Sequence, residues 1–147
     1  MSHPAGARPP EALARFAAAA VARLATVRPD GSPHVVPVTF ALSAAGDEVV
    51  FAVDHKPKST TDLQRLANIA AESRVSFLVD HYDDDWTQLW WVRVDGRARV
   101  LDDATEADAR GAALDALAAK YRQYRDERPA GPVVCTRISR SVEWAYR

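Results

Sequence analysis

The chain has 147 residues, the usual size of one domain and too few for two full cores. Hydrophobic residues make up 48% of it, but 28 residues are alanine, so the larger apolar side chains must gather in a few elements. Nineteen Lys and Arg stand against twenty Asp and Glu, a net charge of -1 that argues against a general nucleic-acid or membrane-surface binder and leaves room for a local basic patch.

Residues 1–10 form a Pro/Gly/Ala tail with nothing to bury, and residues 11–147 are expected to make one domain. Residues 16–22 faintly resemble the apolar stretch of a secretion signal, but Glu11, Arg15 and Arg23 bracket them closely. No run reaches the length of a membrane span. The single cysteine, Cys135, excludes an internal disulfide framework, so a reducing, cytoplasmic setting is expected.

An alanine-rich helix is predicted over residues 11–20. Strands follow at 21–28 and 34–42 around Pro29-Asp30-Gly31-Ser32-Pro33, and at 48–53 after a turn at Ser43–Asp47, giving a meander. Residues 59–71 carry Leu63, Leu66, Ala67 and Ala70 at helical spacing, with Ser59 or Thr60 as N-cap. A strand at 74–81 leads to an acidic, aromatic loop over 82–87. Residues 89–101 show the clearest period of two, with Trp90, Val92, Val94, Gly96, Ala98 and Val100 on one face and Arg93, Asp95, Arg97 and Arg99 on the other. A long helix is predicted over 105–124, capped by Thr105 and Asp108 and striped by Leu114, Leu117, Tyr121 and Tyr124. A closing strand spans 133–146. Six strands linked mostly by turns leave little scope for βαβ units, so an antiparallel barrel with helices packed outside is expected.

Several catalytic signatures are missing: there is no glycine-rich phosphate loop, no Gly-x-Ser-x-Gly elbow and no histidine pair at metal-binding spacing. His55 and His81 both end strands and suit ordinary hydrogen bonding there better than a metal. Asp83-Asp84-Asp85 lacks the alternation of a cation loop, and Cys135 has no charged helper beside it.

Two stretches stand out. Lys56-Pro57-Lys58-Ser59-Thr60 holds two of only three lysines, against sixteen arginines, between a strand end and a helix start. A helix N-terminus attracts anions through free N–H groups, and these ammonium and hydroxyl groups would complete a small phosphate site. The same residues also suit a solvated loop with a hydroxyl cap. On the second stretch, Arg93, Arg97 and Arg99 line one side of a strand, where they either hold an elongated anion or pair with acidic neighbours. Trp86, Trp90, Trp91 and Trp144 supply aromatic surface for a planar ligand, a dimer interface or the core.

In order along the chain, Val21–Val27 with Asp30-Gly31-Ser32-Pro33-His34, Val36-Pro37-Val38-Thr39-Phe40, Lys56-Pro57-Lys58, Asn68-Ile69, Arg74–Asp80 and Trp90–Ala98 resemble the flavin and deazaflavin split-barrel family related to pyridoxamine 5'-phosphate oxidase, and within it the F420-dependent oxidoreductases of the same class. The resemblance implies a mainly β fold with flanking helices (α+β), a six-stranded antiparallel split β-barrel of the FMN-binding type. It implies a homodimer with the cofactor at the subunit interface, its ring against Pro37, Val38 and Thr39, and its phosphate on Lys56, Lys58, Ser59 and Thr60. Contacts from the partner subunit would come from the later strands, with Trp90, Arg97 or Trp144 reaching across. The cofactor would be coenzyme F420, or alternatively FMN, and a small organic substrate would exchange hydride with it. No protein catalytic residue and no metal are then needed. A non-catalytic split barrel carrying flavin, haem or tetrapyrrole is the reading from another functional class.

Overall fold

The computed structural model describes residues 10–53 and 60–146. Helix α1 (Pro10–Ala18) leads into strands β1 (Ala22–Val27), β2 (Pro33–Val38), β3 (Ala41–Leu42) and β4 (Glu48–Ala52). Helix α2 (Thr60–Ala71) precedes β5 (Arg74–His81), a short 3-10 turn (Trp86–Gln88) and β6 (Trp90–Val100). Helices α3 (Ala107–Lys120) and α4 (Arg122–Asp126) come before the closing strand β7 (Val133–Ala145). The predicted 1–10 tail lies outside the described residues, apart from Pro10, which opens α1.

The strands form one antiparallel sheet in the order β2-β1-β5-β6-β7-β4-β3. Its two edge strands, β2 and β3, are consecutive in the chain and separated by Thr39 and Phe40 alone. The three Cα steps from Val38 to Ala41 span only about 10 Å, so the sheet has to curl until its edges nearly meet. This is the expected mainly β split barrel. It has seven strands rather than six because the predicted 34–42 strand divides, its first half pairing with β1 and its second with β4. Turn chemistry behaves as read: Gly31 and Gly46 take φ of 88° and 76°, and Asp30 Oδ1 accepts from Ser32 N–H at 2.9 Å.

Alternation fills the interior. Leu24, Val38, Phe40, Val49, Phe51, Phe77, Val92 and Val94 point inward, and Phe16 of α1 plugs the barrel with its ring 4.7 Å from that of Phe40. A second cluster packs α3 on the outside of β3, β4 and β7 through Leu117, Ala113, Val50, Val133 and Cys135. Both faces of β4 are therefore covered, which is why Val49, Val50 and Phe51 are buried in succession.

Two helix expectations are corrected. The predicted 105–124 helix breaks at Tyr121, whose backbone is extended at φ -115° and ψ 123°. Thr105 and Asp108 do not form the cap: α3 starts after Glu106 with no side-chain cap bond, because Asp102 Oδ1 instead takes the N–H groups of Ala104 and Thr105 at 2.8 and 3.1 Å. The periodic face of β6 loses its phase near the end. Val100 is exposed and Leu101 buried, since the chain leaves the barrel interior there for the second cluster.

Candidate functional site

Beside the Thr39–Phe40 break lies an open cavity of about 400 Å³. Pro37, Val38 and Thr39 supply one wall, and Ala52 and Val53, at the end of β4, supply another. These segments are neighbours because the sheet curls. Arg65 of α2 brings a guanidinium to the cavity, and α4 closes it with Gln123 and Tyr124, followed by Glu127 just past its end and buried Pro129.

The structure thus brings Pro37, Val38 and Thr39 together at one cavity. Lys56, Lys58 and Ser59 lie outside the described residues, as does the side chain of Thr60, whose backbone opens α2. In sequence only Asp54 and His55 separate that basic stretch from Val53, a wall of the cavity. Arg97 stands elsewhere: it is exposed on β6, donates to Ser73 Oγ at 3.3 Å, and borders a separate cleft with Thr26, Arg74 and Ser76. Within one protomer it does not join the cavity. The other two members of the arginine row pair with acids, Arg93 with Asp95 at 2.9 Å and Arg99 with Glu106.

Thr39 and Phe40 are tied down from α3 and α4. Tyr124 Oη and Thr39 Oγ1 share a hydrogen bond of 2.9 Å. Tyr121 Oη accepts from Phe40 N–H at 3.1 Å, and Lys120 Nζ donates to Phe40 O at 2.9 Å while lying 3.8 Å from the Phe40 ring centroid. Burial pushes the Lys120 ammonium down to about 8. By sequence Tyr121 and Tyr124 belong to a plain apolar stripe, and Arg65, Gln123 and Glu127 carry no signal of a site. The available signal was a stripe ending in two phenols next to the third lysine.

A second polar group sits under α2. Asn68, fully buried, donates to Thr26 Oγ1 at 3.0 Å and accepts from Gln64 Nε2 at 2.7 Å. His34 pairs across the ladder with Thr26, and its Nδ1 is buried with no hydrogen-bond partner among the described residues. Desolvation, then the charges of Arg28 and Arg65, hold the imidazole below the ordinary histidine value. The fold therefore refuses a proton that the unfolded chain accepts, so stability is complete above roughly pH 6.5 and declines as pH falls toward the folded pKa. Thermal melts between pH 7 and 5 should show a shallower decline for His34→Gln than for the wild type; parallel declines would contradict this account.

Other candidates have structural roles. Asp83 Oδ1 accepts from Asp85 N–H and Asp85 Oδ1 from Thr87 N–H, so these carboxylates shape a turn. His81 stacks on Trp90 at 5.9 Å, and Arg15 lies 5.3 Å from the same ring. The Cys135 thiol is buried and pushed up to about 12, far from a nucleophile's range. No group of three metal-ligating side chains exists among the described residues, and none of the described helices is long and apolar enough to cross a membrane.

A family model described as pyridoxamine 5'-phosphate oxidase matches residues 9–142. Among solved structures, a conserved hypothetical protein of Mycobacterium tuberculosis, Rv2991, is 22% identical with a TM-score of 0.74, covering 96% of this chain and 86% of its own. An FAD-binding protein of Mycobacterium smegmatis is 21% identical with a TM-score of 0.63, covering 96% and 98%. A structure titled F420 reductase is 24% identical with a TM-score of 0.62, covering 92% and 98%. A search of curated proteins gives no match to the chain.

Proposed function

The chain belongs to the pyridoxamine 5'-phosphate oxidase family, and we propose that within it the protein is an oxidoreductase that uses coenzyme F420 to exchange a hydride with a small organic substrate. One observation carries the reading. The wall formed by Pro37, Val38 and Thr39 and the strand end that runs into Lys56-Pro57-Lys58-Ser59-Thr60 border the same cavity. A ring-binding surface and a phosphate-binding stretch would then be joined without a break in the chain. The cavity's size of about 400 Å³ falls in the range of cofactor sites, and its lining mixes apolar strand residues with a few polar groups.

When bound, the deazaflavin supplies the hydride chemistry itself. The chain's own contribution is placement. Pro37 and Val38 offer an apolar surface to a planar ring, and Thr39 offers a hydroxyl. Lys56 and Lys58 would hold the phosphate, helped by Ser59 and Thr60 at the start of α2.

FMN in the same cavity is the second reading, and the arginine row favours it. Arg93 and Arg99 already pair with Asp95 and Glu106, which leaves fewer cations for the long anionic tail of F420. The proposal includes a homodimer. By strand register Val35, Leu78, Val142 and Trp144 share the outer sheet face, with Val35 60% exposed, and burial against a second copy would cover that row and bring Arg97 toward the partner's cavity.

The test titrates F420 and FMN separately by fluorescence into wild type and into the Lys56→Ala/Lys58→Ala double variant. Loss of two charge-assisted contacts should weaken binding by about 100-fold. Unchanged affinity in the double variant would remove the phosphate assignment. Tight FMN binding without F420 binding would select the second reading.

A further inference from the structure

Helix α3 stops at Tyr121 although no glycine or proline lies between Ala112 and Arg128, and the helix resumes one residue later as α4. Local sequence does not explain the break. Tertiary bonds do. The extended backbone of Tyr121 lets its phenol reach back to the start of the barrel, where it accepts from Phe40 N–H at 3.1 Å and faces two carbonyl acceptors, Ala20 O at 2.8 Å and Phe40 O at 3.0 Å. Lys120, just before the break, donates to the same Phe40 carbonyl at 2.9 Å. Tyr124, just after it, meets Thr39 Oγ1 at 2.9 Å.

These bonds converge on the two residues at which the chain crosses from one sheet edge to the other. Neither Thr39 nor Phe40 belongs to a strand, so no ladder holds the Phe40 N–H and C=O, and side chains take that role. The same break turns α4 so that Gln123 and Tyr124 line the cavity together with Thr39.

We infer that Tyr121 and Tyr124 are positioning residues for the candidate site: Tyr121 sets the backbone at Phe40, and Tyr124 sets the rotamer of Thr39, whose side chain would meet a ring held in this cavity. The inference rests on the cofactor reading of this cavity and goes beyond it by assigning a role to the break between α3 and α4 and to the first turn of α4. Fixing a donor or acceptor before binding removes an ordering cost from association, so loosening it weakens affinity without dismantling the fold.

The experiment uses the full-length chain with Tyr124→Phe, Thr39→Val, their double variant and Tyr121→Phe. FMN and F420 affinities, the absorption maximum of the bound cofactor, Tm and amide exchange at Phe40 are read for each. Tyr124→Phe and Thr39→Val should each raise Kd by about fivefold, with the double variant no worse than the weaker-binding single and Tm lowered by no more than about 4 °C. The absorption maximum should move toward that of the free cofactor. Tyr121→Phe should speed exchange of the Phe40 amide by about tenfold. Unchanged Kd and spectrum in Tyr124→Phe, additive effects in the double variant, or unchanged exchange at Phe40 would each overturn the assignment. Wild-type protein that binds neither cofactor would refute the cofactor reading itself. In that case faster exchange at Phe40 in Tyr121→Phe would still uphold the positioning of the break, and unchanged exchange would refute it.

Discussion

Phe77→Ala is expected to lower the unfolding free energy by about 4 kcal/mol and Tm by roughly 12 °C. Phe77 is fully buried in the middle of β5, opposite Leu24 on β1 and Val94 on β6. Its ring meets Phe16 at 6.4 Å and Phe51 at 6.2 Å, both edge-on, so truncation removes apolar area and two aromatic contacts at once. The curled sheet surrounds the space left behind, which limits collapse and keeps the cavity term large. Urea unfolding of the variant measures this directly. A loss under about 1.5 kcal/mol would mean that α1 and Phe16 can follow the missing ring inward.

Gly96→Ala is expected to cost about 3 kcal/mol, a large effect for one added methyl group. A Cβ at this position would lie 2.3 Å from Arg137 O and 2.8 Å from Thr136 Cγ2. The nearer atom is backbone and cannot escape by changing rotamer. The clash also falls where β6 and β7 slip register: Asp95 faces Arg140, Gly96 faces Ile138, and Ser139 is skipped. Relief would require shifting the longest strand pair in the sheet. Gly111→Ala is the internal control, because Gly111 sits within α3 with nothing within 4 Å of an added Cβ. That change should stabilise the protein by about 0.5–1 kcal/mol, as alanine does in a helix interior. Equal Tm values for the two variants would refute the steric account.

The limits of sequence reading at the site follow from distance along the chain. The pairing of Arg93 with Asp95 was legible because residues two apart on a strand share a face. The bond between Thr39 and Tyr124 joins residues 85 positions apart, and nothing in either neighbourhood announces the other. Pro37, Val38 and Thr39 came from family resemblance rather than from residue chemistry. Arg65, Gln123 and Glu127 came from neither, since each is an ordinary polar residue in or just after a helix until curling of the sheet sets α2 and α4 around the same opening.

By itself the sequence determined the local alphabet of this protein. Period-two stretches, the Asp-Gly turn and the alanine-rich helices specify their conformations from neighbours within a few residues, so the turns at Gly31 and Gly46 and every strand except the divided 34–42 stretch were readable to within a residue or two. The tertiary structure alone decided where two of those elements break. Thr39-Phe40 is good strand sequence and Lys120–Arg122 good helix sequence, yet both break, because the hydrogen bonds between them form only once a barrel brings residues 39–40 and 120–124 together. Propensities worth a few tenths of a kcal/mol per residue yield to several part-buried hydrogen bonds and a closed core, and the candidate cavity lies where they yield.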